Sequence, residues 1–138
     1  MKRRISLVGI AVVVLCFTAG MSLADDIPNV VGTWVGKATI YHRESGFTEN
    51  DLTYIIEEQR GRIFKGYKIL TLLHNKEKRI EPFAGVITKD NRTFYIADFI
   101  DGMEQGHIDE GDSLTLYYIE PATAIAKAGI IELTRKAK

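Results

Sequence analysis

Apolar and polar residues alternate along most of the chain after residue 30, a pattern typical of strands with one buried face. In the first run, Trp34, Ala38 and Ile40 share a face, and in the last run Ile131 and Leu133 share one. β-Branched and aromatic residues fill these runs, as they do in strands. Eight strands are predicted, approximately at residues 32–42, 51–59, 63–73, 81–88, 93–99, 103–108, 113–120 and 124–135.

The links between these runs predict how the strands connect. Residues 60–62, 89–92 and 110–112 are short and contain Gly, Asn or Asp, which tolerate the positive φ of hairpin turns. Short links join antiparallel neighbours, because a parallel crossover needs a dozen residues or more. Eight hairpin-linked strands form a meander, which removes its exposed edges by closing. We therefore expect an all-β fold, a single closed antiparallel up-and-down barrel of about eight strands.

The first 24 residues have the features of a signal peptide. A basic start, Lys2 to Arg4, precedes an uncharged apolar run at 5–17, and small residues at 22–24 offer a cleavage site. We expect export to the periplasm, the cell surface or the medium, with a mature chain that begins at Asp25. Residues 25–31 then lead into a barrel domain at 32–138. Two alternatives remain, lipidation at Cys16 and an uncleaved signal segment that acts as a membrane anchor. The only membrane contact that we expect is through this segment if it is uncleaved.

Composition narrows the function of the mature chain. Its 114 residues contain 15 basic and 18 acidic side chains, because the leader holds three basic residues and no acidic ones. This balance disfavours nucleic acid as a partner, since phosphates require clustered Lys and Arg. No cysteine follows Cys16, which excludes disulfides, thiolate metal sites and cysteine nucleophiles from the mature chain.

Two short segments resemble the calycin superfamily, which includes lipocalins, fatty-acid-binding proteins and avidins. Gly32-Thr33-Trp34 opens the first strand, and Leu133-Thr134-Arg135 ends the last. The resemblance implies an eight-stranded barrel, a habit of binding small apolar molecules, and an arginine lying across the tryptophan at the closed end. It does not extend to biotin, because avidins use several tryptophans and many hydroxyl side chains, and this mature chain has one Trp and two serines.

Strand register also predicts that Trp34 and Arg135 meet. In a closed antiparallel meander the last strand pairs with the first, so the end of one lies beside the start of the other. Arg135 continues the inward alternation of Ile131 and Leu133. We therefore expect these two side chains to form a structural pair at one barrel end.

No catalytic or metal-binding constellation emerges from the remaining polar residues. His42, His74 and His107 lack any local metal-ligand spacing, and Ser45 and Ser113 lie outside a nucleophile elbow. Six acids between residues 98 and 112 do not fit a calcium loop and are interpreted as a solvated acidic hairpin, with a weak cation site or a patch facing a basic partner as the alternative. We therefore expect no catalytic residue, no metal, no cofactor and no enzymatic activity.

Four aromatic residues are the candidate ligand-binding residues: Tyr54, Phe64, Phe83 and Tyr118. They fall on predicted inward faces, where they either pack as core or line a pocket. Two of them begin a repeated Phe-x-Gly pattern, in which the glycine serves barrel closure or leaves room for a ligand.

These observations favour an exported module that holds a small, largely apolar ligand in a β-barrel. The alternative is a protein-binding or inhibitor-like module acting through its loops, with Phe47 at the tip of a long loop at 43–50. The interior volume discriminates between them, because an open cavity of several hundred Å³ favours a ligand.

Overall fold

The computed structural model describes residues 26–72, 76–100, 102–121 and 126–137, with the side chain of Leu72 left out. The expected signal segment at 1–24, Cys16 and the expected mature start at Asp25 lie outside the described residues. His74 and Asp101 also lie outside them.

The chain forms a closed antiparallel barrel in which every strand pairs with its neighbour in sequence and the last pairs with the first. The described residues contain no helix, so none of the described segments is a helix that could cross a membrane. The predicted fold class is confirmed. The strands are β1 (Gly32–His42), β2 (Gly46–Arg60), β3 (Ile63–Leu72), β4 (Lys78–Ile87), β5 (Thr93–Asp98), β6 (Met103–Asp109), β7 (Ser113–Glu120) and β8 (Lys127–Arg135).

The predicted long loop at 43–50 is wrong. β2 begins at Gly46, so only three residues separate it from β1. Phe47 is a strand residue and pairs with Tyr41 of β1. The ladder extends this far because the alternation of β2 continues through Thr48 and Asn50, which face inward, while Phe47 faces outward.

The predicted hairpin turns adopt the expected backbone conformations. Gly61 and Asn91 have φ of 57°, and Gly111 has φ of 71°. Gly reaches this left-handed region without a Cβ clash, and Asn tolerates it better than most residues. In the 88–92 turn, the Asp90 carboxylate accepts hydrogen bonds from the backbone N–H groups of Arg92 and Thr93. These turns connect β2 to β3, β4 to β5 and β6 to β7, and all three lie at the same end of the barrel.

The inward side chains fill this same end of the barrel with a packed apolar core. Phe64 lies edge-on to Phe83 and Phe94, with ring centroids 6.4 and 6.1 Å away. The Phe-x-Gly glycines serve this packing. A Cβ on Gly85 would lie 2.2 Å from the Phe64 ring, and one on Gly66 would lie 2.0 Å from a backbone oxygen of β2. Both glycines therefore accommodate close packing.

Trp34 and Arg135 close this end. Their backbones are register partners, and the guanidinium lies 4.1 Å from the indole centroid. Trp34 is 1% exposed and donates its indole N–H to the Val30 carbonyl at 2.9 Å. The contact combines a cation–π attraction with the burial of a large ring.

Arg135 also ties together segments that are distant in sequence. Its guanidinium donates hydrogen bonds to the backbone carbonyls of Asn29 and Val31, both at 2.8 Å, and to the Asp112 carboxylate at 3.0 Å. The planar fork can make all three bonds while its face covers the indole, which an ammonium cannot do. The residues before β1 are thereby held across the closed end.

We expect Arg135→Ala to lower the free energy of unfolding by about 1–3 kcal/mol, because it removes the cation–π contact and three hydrogen bonds of a partly exposed side chain. The emission of Trp34, the single tryptophan, should also change. Arg135→Lys should recover part of the loss, since it keeps the charge without the fork. Urea denaturation followed by circular dichroism measures the effect, and an unchanged midpoint for Arg135→Ala would contradict it.

Candidate functional site

The opposite half of the barrel contains an open cavity of about 790 Å³. It lies between the last residues of β1, β3 and β7 and the first residues of β2, β4 and β8. It therefore opens at the end of the barrel away from Trp34. Small-molecule sites commonly have volumes of this size. The lining residues are Ile40, His42, Ser45, Thr48, Glu49, Asn50, Leu52, Lys68, Leu70, Arg79, Glu81, Tyr118, Lys127 and Ile131.

Four aliphatic side chains form one part of the cavity wall. Ile40, Leu52, Leu70 and Ile131 come from four different strands, and each occupies an inward position of its alternating pattern. The four strands are consecutive around the barrel, from β8 through β1 and β2 to β3. An apolar ligand body would therefore contact aliphatic side chains along one continuous half of the barrel wall.

The inner limit of the cavity is a buried ionic cluster centred on Lys68. Its ammonium group lies 2.7 Å from Asp98, 3.1 Å from Glu104 and 3.4 Å from Glu81. The side chain of Lys68 is 6% exposed, and those of Asp98 and Glu104 are fully buried. One cation therefore faces three carboxyl groups in a region screened from water. We call Lys68, Glu81, Asp98 and Glu104 the Lys68 cluster.

Strand register brings the Lys68 cluster together. Lys68 is the direct cross-strand partner of Tyr54 on β2 and of Glu81 on β4. Its long side chain then reaches across to Asp98 on β5 and Glu104 on β6. Tyr54 completes the network by donating its hydroxyl to Glu104 at 2.7 Å.

Burial and mutual repulsion set the protonation of this cluster. Burial and, after it, the nearby Glu104 carboxylate raise the pKa of Asp98 to about 7, against the attraction of Lys68. Burial alone would lower the pKa of Lys68, but Glu104 and Asp98 more than offset this and raise it above its ordinary value. Burial and Glu104 raise the pKa of Tyr54, so the phenol remains a neutral donor.

A second set of polar side chains lies at the mouth of the cavity. The Glu120 carboxylate accepts a hydrogen bond from the Tyr118 hydroxyl at 3.0 Å and lies 2.9 Å from the Lys127 ammonium. Burial opposes its ionisation, but these two partners more than offset burial and lower the pKa of Glu120. Burial and the nearby Lys127 lower the pKa of His42, whose ring nitrogen lies 3.0 Å from the Thr48 hydroxyl.

The four candidate aromatic residues divide between the two halves of the barrel. Tyr118 lines the cavity. Phe64 and Phe83 are 2% and 0% exposed in the packed core. Tyr54 is also buried there, with its ring centroid 5.4 Å from that of Phe83. The structure thus places Tyr118 where a ligand could contact it and the other three in the core.

The solvated acidic hairpin expected at 98–112 is wrong in part. Asp98 and Glu104 are buried inside the barrel, whereas Glu110 and Asp112 are exposed in the β6–β7 turn. The reason is strand alternation, which turns Asp98 and Glu104 inward and Asp109 towards the outer surface. The run of acids therefore belongs to two separate environments.

The other polar candidates do not converge within the described residues. Ser45 lies at the cavity mouth and Ser113 at the start of β7, near the closed end. His42 faces the cavity, and His107 lies on the outer face, 6.2 Å from the ring of Tyr117. The described His, Asp and Glu residues form no group of three or more positioned to hold a metal ion.

Sequence reasoning missed the Lys68 cluster, although one signal was present. Lys68 follows Phe64 and Gly66 at the same alternating positions, so the pattern placed a lysine on the apolar face. Glu104 precedes Gly106 and Ile108 in the same way. A charged residue on an inward face needs a buried partner, which would have directed attention to both.

Comparison with known proteins adds no assignment: no protein-family model matches the chain, and no curated protein matches it.

We expect the stability advantage of the wild-type protein over Asp98→Asn to decrease as pH rises from about 5 to 8. The pKa of Asp98 is raised from 3.8 to about 7, so the folded state retains a proton that the unfolded state releases, and the stabilisation is lost as pH passes through 7. Lys68, Glu81, Glu104 and Tyr54 surround this carboxyl group and remain in both proteins.

Urea denaturation of both proteins at pH 5, 6, 7 and 8 measures this difference. Asp51→Asn, which alters an exposed acid on the outer face of β2, is the control and should show no such trend. A difference that is constant, or that grows with pH, would contradict the protonation of Asp98.

Proposed function

We propose that this protein is an exported module that binds a small, largely apolar ligand inside a calycin-like barrel. The observation that carries the proposal is the 790 Å³ cavity, with aliphatic side chains on four adjacent strands, at one end of a barrel whose other end is packed. An apolar molecule gains by leaving water for such a pocket, because its own surface and the aliphatic side chains of the wall are both removed from water.

The closed end supports the calycin-like part of this proposal. Gly32-Thr33-Trp34 opens β1, and Arg135 of β8 covers the indole at 4.1 Å. The eight-stranded meander is consistent with that superfamily. The basic and apolar leader at 1–24 supports export. The proposal assigns binding and no reaction.

The direct test is native mass spectrometry of the protein purified from its own source, in which a retained ligand appears as added mass that denaturation removes. A complementary test uses the fluorescent apolar probe N-phenyl-1-naphthylamine. Leu70→Trp should weaken probe binding by about tenfold or more, because the indole fills part of the cavity. Leu70 lines the cavity, and the adjacent Ile69 points to the outer face.

Ile69→Trp is therefore the matched control, with the same added ring on the same strand, and should leave probe affinity within about twofold. Equal effects of the two substitutions, or no probe binding to the wild-type barrel, would contradict a cavity site.

A second candidate function is binding of a protein partner, and a row of outer-face residues favours it. Phe47 is 79% exposed, and its ring centroid lies 5.0 Å from that of Tyr41. Tyr41 is the cross-strand partner of Ala128, Ala128 of Ile119, and Ile119 of Met103. These five residues, which we call the outer apolar row, present neighbouring apolar side chains on five strands.

If a partner binds there, a photoreactive benzoylphenylalanine in place of Phe47 should yield a discrete crosslinked protein in cells of the source organism. The same group in place of Glu57, an exposed outer residue of β2 outside the row, should not. Adding Leu70→Trp should leave the crosslink intact, because the outer apolar row is separate from the cavity. The same products from both positions, or none, would contradict this function.

A further inference from the structure

The Lys68 cluster leaves the inner end of the cavity with an excess of negative groups. Lys68 is the single cation within it, against the carboxyl groups of Glu81, Asp98 and Glu104. A further cation, Arg79, lies 3.7 Å from Glu81 and has a half-exposed side chain. Burying a carboxylate without a matched cation is costly, so a further positive group would stabilise this region.

The unpaired hydrogen-bonding groups of the cluster also favour a group that donates hydrogen bonds. Asp98 Oδ1 and Glu104 Oε2 are buried and accept no hydrogen bond from the described residues. The Tyr54 hydroxyl and the Lys68 ammonium already bond to Glu104 Oε1, and Lys68 also bonds to Asp98 Oδ2. Buried polar atoms are almost always satisfied in folded proteins. What this region lacks is therefore hydrogen-bond donors, and its acceptors are in excess.

The cluster adjoins the cavity. Lys68 and Glu81 both line it, and Tyr118, the cross-strand partner of Glu104, forms part of the same wall. The face of the Tyr118 ring lies 5.4 Å from the Lys68 ammonium, so this ring already borders a cation. A ligand that enters from the mouth would place its innermost group among these side chains, with its body between Leu52 and the other aliphatic residues.

We propose that the ligand is an amphipathic amine, whose ammonium group lies at the Lys68 cluster and whose apolar body fills the aliphatic part of the cavity. This inference rests on the proposed function and names the chemical class of its ligand. An ammonium group supplies three donors and one positive charge, which match the unpaired acceptors and the excess of acids. A carboxylate ligand would add a fourth negative group.

The raised pKa of Asp98 agrees with this assignment. With its pKa near 7, Asp98 holds a proton that partly relieves the excess of negative charge in the free protein. A bound ammonium would take over that role, so binding should release a proton near pH 7. The charged and titratable groups that face the same carboxyl group are Lys68, Glu81, Glu104 and Tyr54, which come from four other strands.

Isothermal titration calorimetry with decylamine, 1-decanol and decanoate tests the proposal, with the charged probes below their micellar concentrations and 1-decanol below its solubility limit. We expect decylamine to bind at least about tenfold more tightly than 1-decanol, and decanoate to bind most weakly. The amine should also bind more tightly as pH rises from 6 to 8, where Asp98 loses its proton. Equal or tighter binding of 1-decanol or decanoate would overturn the amine assignment and leave the cavity site intact. No binding of any probe would overturn both.

Two substitutions locate the effect. Glu104→Gln and Glu81→Gln each remove one negative charge at nearly constant shape, and Glu81 is at the cavity surface should the Glu104 variant fail to fold. Each should lower the ratio of decylamine to 1-decanol affinity about fivefold or more. Glu132→Gln, at an exposed outer position of β8, should leave the ratio unchanged. A parallel loss of both affinities would indicate a structural role and contradict ammonium recognition.

Discussion

The pairing of β8 with β1 is the constraint on which the rest of this structure depends. It extends over nine residue pairs, from Trp34 with Arg135 to His42 with Lys127. Without it the sheet would present two edges whose backbone groups need other partners. With it, the inward faces of all eight strands enclose one interior. Both the packed core and the cavity are consequences of this closure.

The interior is divided by the sizes of its side chains. In the half of the barrel that contains the turns at 61, 91 and 111, the ring of Phe64 packs against those of Phe83 and Phe94 within the apolar core. Glycines beside these rings provide the space they occupy, as Gly85 does for Phe64. Near the mouth, several inward positions hold side chains smaller than Phe, such as Ile40, Thr48 and Leu70, and the interior stays open. A small barrel can therefore combine a core that holds it together with a pocket that remains accessible.

The Lys68 cluster lies at the boundary between these two halves. Four ionisable side chains in this position contribute less to stability than an apolar packing of the same volume would, because their desolvation is costly. They do fix the polarity of the inner cavity, since Lys68 must stay close to its carboxyl partners. Removal of Lys68 would leave these carboxyl groups without the cation that they share. A trade of this kind, stability for chemical selectivity, is typical of binding sites and fits the proposed amine ligand.

The barrel could be predicted from the sequence because the features that indicate it, alternation and short links, are local along the chain. Alternation assigns each residue a face, and short Gly, Asn and Asp links make consecutive strands antiparallel neighbours. The same register logic brought Trp34 and Arg135 together, since closure pairs the first strand with the last. The error at Phe47 was local too: polar inward residues of β2 made the start of a strand resemble a loop.

Only the tertiary structure decided which inward side chains contact each other and where the cavity lies. Tyr54 and Glu104 are 50 residues apart and Lys68 and Glu104 are 36 apart, yet they share one network. Their meeting depends on the curvature of the closed sheet and on the reach of each side chain, which alternation does not specify. The cavity has the same origin, because the open volume is what the summed side chains leave unfilled. The sequence by itself determined which residues face inward, and the three-dimensional packing determined which of those touch each other and where space remains.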